Sequence, residues 1–377
     1  MAAAVARQAP YRWGICSTGN ICNDFVTCLQ YLKQKKGRVE VAAVAARSLE
    51  KAQQFADKFS IPSAYASYTD MFKDPNIDVI YVGAIHPMHK QIVLEALRNK
   101  KHVLCEKPMG MNLQEVLSMQ SAALESNCLL QEAMWTRFTP LTKKVRELVQ
   151  EQRVLGDLKF IQGDFGVQFP RSVKRIWDRD MGGGALLDIG IYPLQFLSGL
   201  LYPRPPSPEQ PRQPPDPADL PQPKSCKVEG SIDAETGVDT AGVFSATYEN
   251  DITAVVSWNA LCQTPEELMI AGTKGCLRIH SPAHCATKAT LSIQENRESQ
   301  KEEKIEIPLP PDMDRSKFNF PNSELIMFEA EAVCDALDKG RLECADYGWA
   351  ETRHVTGLMD MIRKELGVVY PSDKEVK

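Results

Sequence analysis

Trp13-Gly14-Ile15-Cys16-Ser17-Thr18-Gly19-Asn20-Ile21-Cys22 decides the fold. An apolar run, a small polar turn and a new amphipathic segment follow one another directly. That is the order of a buried strand, a tight turn and a helix. The pattern predicts a strand over 13–17 and a helix over 20–33. Set against G-x-G-x-x-G, the glycine positions hold Ser17, Gly19 and Cys22. Only the central glycine is kept, the one that lets a pyrophosphate approach the backbone. Ser17 and Thr18 add hydroxyls, and the helix start at Asn20 and Ile21 adds amides and a positive dipole end. Taken alone, this is a plain strand-to-helix turn; its surroundings give it meaning.

Downstream, strand and helix patterns alternate. A valine- and alanine-rich strand (39–46) precedes a polar helix (49–59). Another buried strand (79–84) leads through Pro87 into a helix that ends near 97. A short strand (103–105), a helix (113–126) and a strand (129–133) complete the run. Such alternation predicts a parallel sheet covered on both faces, hence an α/β fold with an N-terminal Rossmann domain, doubly wound, over 11–135. Beyond it, a helix (141–151) leads to alternating segments at 159–168, 242–248, 252–258, 267–272 and 276–279. These predict a C-terminal α+β domain over 136–371 with an open, mostly antiparallel sheet. Two last helices, 323–337 and 350–366, are expected to pack back on the first domain. Between 203 and 223, ten of twenty-one residues are proline, which predicts an extended surface insertion with no packed core of its own.

Composition narrows the function. The chain has 377 residues, 43% apolar and 25% charged, with a net charge of −5, which argues against binding a phosphate backbone and so against a nucleic-acid partner. No apolar run reads as long enough to span a bilayer, so no membrane role is expected. The opening Met1–Pro10 segment is too short in its apolar part for a secretory signal, with a transit peptide as the minor alternative. The eleven cysteines are odd in number and include no C-x-x-C pair. They predict no disulfide framework and no metal site, and a cytoplasmic, reducing setting.

The chemistry is expected at the carboxyl ends of the strands, where open α/β sheets bind ligands. After the second strand an NAD site usually carries an acid for the ribose hydroxyl. Here stand Ala45-Ala46-Arg47-Ser48, and a guanidinium beside a hydroxyl suits a 2′-phosphate. The cofactor expected is therefore NADP. After the third buried strand comes His86-Pro87-Met88-His89, with His86 taken for the cofactor. At the end of the next, Glu106-Lys107-Pro108 places a lysine where it can lose solvent and gain a neighbour. Glu106 reads as an anchor for backbone or cofactor ribose, with a structural salt bridge as the equal alternative. Asp188 and Tyr192, four apart in a predicted helix, project from one face. Trp135, Phe138 and Phe165 offer an aromatic wall to a flat ring, with Trp177 and Trp258 as weaker candidates and core packing as the competing reading for each.

These residues together resemble the Gfo/Idh/MocA oxidoreductase family. The resemblance rests on the degenerate glycine turn, on Glu106-Lys107-Pro108 and on Gly182-Gly183-Gly184-Ala185-Leu186-Leu187-Asp188-Ile189-Gly190-Ile191-Tyr192. The family commonly ends that last motif in histidine. Tyr192, with Glu132-Ala133-Met134-Trp135-Thr136-Arg137-Phe138 and Val154-Leu155-Gly156-Asp157-Leu158, is similar to the branch that oxidises dihydrodiols. The resemblance implies an NADP-dependent enzyme oxidising trans-dihydrodiols of benzene and naphthalene, and D-xylose at C1. It also implies a homodimer formed through the open sheet, and Arg137 and Asp188 among the substrate contacts.

Hydride transfer needs a base for the hydroxyl proton. A phenol with its ordinary pKa of about 10 is weak at neutral pH, but a lysine ammonium and a cationic nicotinamide favour the phenolate. That makes Tyr192 the acid/base, Lys107 its activating partner and Asp188 the orienter of a substrate hydroxyl. The alternative makes Lys107 the proton carrier. Two other functions stay open: another sugar or polyol oxidoreductase of the family, and a non-catalytic NADP-binding sensor or scaffold.

Overall fold

The computed structural model describes residues 9–202, 221–296 and 299–374. Most of the proline-rich insertion (203–220), and the first eight residues, lie outside them. The chain divides into two compact units. The first holds the described residues up to Gly110, with Gln114–Thr139 and Leu309–Trp349. The second holds Met111–Leu113, Pro140–Pro308 and the described residues from Ala350 onward.

Six parallel strands form the sheet of the first unit: β1 (Tyr11–Cys16), β2 (Val39–Ala45), β3 (Ser63–Tyr65), β4 (Val79–Val82), β5 (His102–Glu106) and β6 (Leu130–Ala133). Their order is β3-β2-β1-β4-β5-β6. It reverses between β1 and β4, so the loops after these two strands part there and leave a crevice suited to a ligand. β4 is buried at every residue, as its unbroken Val-Ile-Tyr-Val run demands of a strand covered on both faces. Buried Asp24, on the helix Asn20–Lys36, accepts from the amides of Asn319 (3.0 Å) and Phe320 (3.1 Å) and from Ser323 Oγ (2.7 Å). Those bonds make the 309–349 segment part of this unit.

Eight strands form the sheet of the second unit: β7 (Leu158–Gly166), β8 (Ser225–Ile232), β9 (Asp239–Thr247), β10 (Thr253–Asn259), β11 (Leu268–Gly272), β12 (Gly275–Ile279), β13 (Lys288–Gln294) and β14 (Gln300–Glu306). The order is β14-β13-β12-β11-β7-β10-β9-β8, antiparallel except where β10 meets β7. The two closing helices, expected on the first domain together, divide. Met327–Asp338 falls in the first unit and nearly all of Trp349–Leu366 in the second.

One expectation is corrected. The segment Arg179–Leu201 is long and apolar enough, by length and composition, to cross a membrane. Asp188 is its one charge after Gly182, which is why no single apolar run stood out. Its most apolar window is 94% buried inside the fold, as a core helix is.

Candidate active site

The residues expected at the cofactor share the carboxyl edge of the first sheet. Ser17 and Thr18 follow β1, Arg47 and Ser48 follow β2, His86 follows β4, and Lys107 follows β5. Gly19 is the N-cap of the helix Asn20–Lys36, with no side-chain cap and no acid in the first turn. By contrast Ser48 caps the helix Leu49–Phe59, and Ser67 caps Tyr68–Lys73. A Cβ built on Gly19 would find only Ser17 Oγ, at 3.9 Å. Local packing therefore does not require this glycine, whereas a pyrophosphate on bare amides does. Ser17 itself lies at φ 93°, turning the chain sharply into the helix. The residues present fit a dinucleotide.

Cys22 occupies the place of the third glycine, which normally lets helix and strand pack closely. The structure moves that space across to Gly83, where a Cβ would collide with Cys22 Sγ. The thiol sits 3.6 Å from the carbonyl oxygen of Cys16 and 3.7 Å from that of Gly83. Burial pushes it up to about 12, so it packs as a neutral group. Arg47 is exposed just beyond β2.

Lys107 is half-buried on a backbone pinned at consecutive residues, and its bond to Pro108 is cis. Glu106 turns inward, where Oε1 accepts from Tyr81 Oη (2.6 Å) and Oε2 from the Lys107 amide (3.3 Å). Glu132 Oε1 accepts from the Met109 amide at 2.8 Å. His89 lies between the carbonyls of Pro108 (2.9 Å) and Ala84 (3.0 Å). Burial first, and then the Lys107 charge, lower its pKa, so the neutral ring donates to one carbonyl at a time. Glu329 is fully buried, and neither of its oxygens has a hydrogen-bond partner among the described residues. Burial and the neighbouring Glu106 hold its carboxyl well above the usual range. Burial raises Glu106 too, so this pair retains a proton that two isolated carboxylates would have lost.

Trp135, Arg137 and Phe138 form a tight turn directly after β6. Phe138 is fully buried. The Arg137 guanidinium lies 5.0 Å from the Tyr347 ring centroid and donates to the carbonyl of Asp346 (3.3 Å). Both therefore pack the first unit from within, and Trp135 is buried beside them.

In the second unit the glycine-rich motif is braced from below. Buried Asp239 accepts from the Leu186 amide (2.7 Å) and from Trp258 Nε1 (2.9 Å). Burial pushes its carboxyl up to about 6 against the pull of those donors. Gly184, at φ 119°, has no room for a Cβ against Asp239. Trp258 is thereby a structural residue, as is Trp177, whose Nε1 donates to the carbonyl of Pro170 (3.0 Å). Asp188 sits in a π-turn, Leu186–Gly190, and Tyr192 in the α-helix Ile191–Leu201 that continues it. The wider turn changes the simple i, i+4 relation expected of the two, and such insertions are frequent at functional sites. Asp188 is paired with Arg175, a partner thirteen residues upstream that sequence spacing did not suggest. Tyr192 packs against Phe165 (centroids 5.6 Å) and His284 (5.1 Å). These three line a cleft with Asp164, Glu266 and Pro193. His284 and Glu266 are the residues that sequence reasoning missed. They are eighteen apart, and only the fold brings them to Tyr192.

Residues 11–134 match the family profile described as "Oxidoreductase family, NAD-binding Rossmann fold", and residues 142–278 match "GFO/IDH/MocA C-terminal domain". The chain belongs to the Gfo/Idh/MocA oxidoreductase family. It is 38% identical over 360 residues to trans-1,2-dihydrobenzene-1,2-diol dehydrogenase of Xenopus tropicalis, covering 96% of this chain and 99% of that one. To the Homo sapiens protein of that name it is 36% identical over 366 residues, with 96% and 99% covered. Among solved structures, levoglucosan dehydrogenase in complex with NADH and levoglucosan gives a TM-score of 0.79 at 15% identity, covering 95% of this chain and 97% of that one. A 3-ketoreductase from Actinomadura kijaniata in complex with NADP and TDP-benzene gives 0.75 at 19%, covering 94% and 98%. At such identities the structures speak for the fold alone. As a Gfo/Idh/MocA protein the chain is an oxidoreductase of CH–OH groups with an NAD(P)-binding Rossmann domain.

Proposed function

We propose that the chain is an NADP-dependent dehydrogenase that oxidises trans-dihydrodiols of aromatic hydrocarbons, D-xylose at C1, or both, as a cytoplasmic homodimer. The observation that carries the choice of cofactor is Arg47, exposed at the end of β2 where an NAD enzyme would present an acid. Likeness along nearly the whole chain to dehydrogenases named for a dihydrodiol supports the substrate class. The bound nicotinamide supplies the hydride acceptor. Ser17, Thr18, Gly19 and the first amides of Asn20–Lys36 hold its pyrophosphate, and Arg47 with Ser48 takes the 2′-phosphate. Tyr192 removes the proton from the reacting hydroxyl, favoured as phenolate by the Lys107 charge. Asp188, steadied by Arg175, orients the hydroxyl. The cytoplasmic setting rests on the sequence, whose eleven cysteines are odd in number and include no C-x-x-C pair.

Arg47→Asp tests the cofactor. Removing a charge-assisted phosphate contact and adding an acid should shift the NADP/NAD ratio of kcat/KM toward NAD by roughly 10- to 150-fold. An unchanged ratio removes Arg47 from the phosphate site. The dimer has its own test. β8 is exposed along nearly its whole length, and Ile232 and Val243 are large apolar side chains left 40% and 41% exposed. Val243 pairs across the sheet with Ser257 and Glu229, so a charge there would sit in the middle of a sheet-to-sheet contact. Val243→Lys should convert a dimer into a folded monomer in light scattering, and a variant that still runs as a dimer places the interface elsewhere. A substrate screen at the reduced-nicotinamide absorbance, with both cofactors, tests the activity. Inactivity across diols and aldoses despite cofactor binding would favour a sensor.

A further inference from the structure

We propose that Asp239 is a positioning residue for the reaction, its carboxylate holding both ends of the π-turn Leu186–Gly190 and so setting where Asp188 and Tyr192 meet the substrate. The inference rests on the reading that these two residues act on the reacting hydroxyl.

The first end is held directly. Leu186 opens the turn, where a helix leaves its first amides without partners. Ala185, the N-cap, supplies no side-chain bond. Asp239 Oδ2 reaches in from β9 instead and accepts from the Leu186 amide at 2.7 Å, from fifty-three residues away in the chain. The other end is held through an indole. The same oxygen accepts from Trp258 Nε1 at 2.9 Å. The Trp258 ring lies so close to Gly190 that an added Cβ would meet its Cγ at 3.0 Å. Gly242, the cross-strand partner of Trp258, has no room for a Cβ against the same ring. The indole is thus seated between β9 and the turn. Asp188 lies between the two holds, and Tyr192 two residues beyond the second.

Packing does not explain the charge. An asparagine oxygen would accept the same two bonds without the cost of burying a carboxylate. Oδ1, moreover, has no hydrogen-bond partner among the described residues and packs against Gly184. What the carboxylate adds is strength, because bonds to an ionised acceptor are about twice as strong as neutral ones. A small displacement of this turn would misplace the reacting groups, which is costly to kcat.

The anchor therefore depends on pH. Arg363 and Tyr370 face Asp239 from the helix Trp349–Leu366 and the residues after it, and Arg363 is tied to Asp360 (2.5 Å) and Asp373 (2.7 Å). On the turn itself Asp188 is paired with Arg175, and beyond the neighbouring strand β8 Asp233 is paired with Arg171. Burial pushes Asp239 up to about 6 against its donors and Arg363. Above that pH the anchor is a carboxylate, and below it a weaker, neutral acceptor.

The test uses the full-length enzyme with NADP. Wild-type kcat should fall as the pH drops through about 6. Asp239→Asn should lower kcat above that pH by about 10- to 100-fold, leave the KM for NADP within a few-fold, and lose the fall. Trp258→Phe keeps a ring beside Gly190 but removes a donor that holds the Asp239 pKa down, so the fall should move to higher pH. A merely structural bond would change stability without moving it. Independently of turnover, the Trp258 indole N–H and the Tyr192 ring resonances of labelled protein should titrate together, and Asp239→Asn should abolish both transitions. An Asp239→Asn enzyme that keeps either the wild-type kcat or the fall would overturn the inference, as would a Tyr192 resonance indifferent to the Trp258 transition. Should Asp239→Asn not fold, a Trp258→Phe profile that stays at the wild-type pH overturns it. Resonances that titrate together in a protein inactive on diols and aldoses would instead overturn the proposed activity.

Discussion

Tyr192→Phe is expected to lower kcat by about 10²- to 10⁴-fold, the usual contribution of a positioned acid/base. The substitution removes one oxygen and leaves the ring, so its packing against Phe165 and His284 survives. Folding should be unaffected, and NADP affinity should hold, because the residues proposed to bind the cofactor belong to the first unit. Steady-state turnover with NADPH fluorescence titration separates the two effects. Full turnover would show that the proton travels by another group, and Lys107 is the one already in view.

Lys107→Met is expected to cut kcat comparably at neutral pH, with NADP affinity changed only a few-fold. The loop should keep its shape without the ammonium, because Glu106, His89 and Glu132 hold it through backbone amides and a carbonyl. The two variants then differ in their pH profiles. If Lys107 serves only to favour the phenolate, raising the pH ionises the phenol unaided and restores part of the Lys107→Met rate. Tyr192→Phe has no group to ionise and should stay inactive throughout. If Lys107 itself carries the proton, the pattern reverses: Lys107→Met remains dead at high pH and Tyr192→Phe keeps its rate.

The Rossmann half was legible because buried parallel strands are written as continuous apolar runs. β2, β4 and β5 need no context to be seen. The edge strands of the second sheet were not. β14 reads Gln-Lys-Glu-Glu-Lys-Ile-Glu and β8 is polar and exposed, since an edge strand stays soluble by being charged. The glycine loop shows a different limit. Cys22 reads as a defect in the fingerprint until Gly83, sixty-one residues away, is found to supply the missing space. The same holds for chemistry. Lys107 announces itself beside a proline at a strand end, whereas Arg175 beside Asp188 and Glu266 beside His284 exist only as contacts.

The most direct measurement is the fate of a labelled hydrogen. D-Xylose deuterated at C1, and a trans-dihydrodiol deuterated at its carbinol carbons, are each incubated with the enzyme and NADP, and the nicotinamide product is analysed by mass spectrometry and NMR. The account predicts deuterium at C4 of the reduced ring from at least one of them. Unlabelled reduced cofactor, or none from either substrate with NADP or NAD, would contradict it.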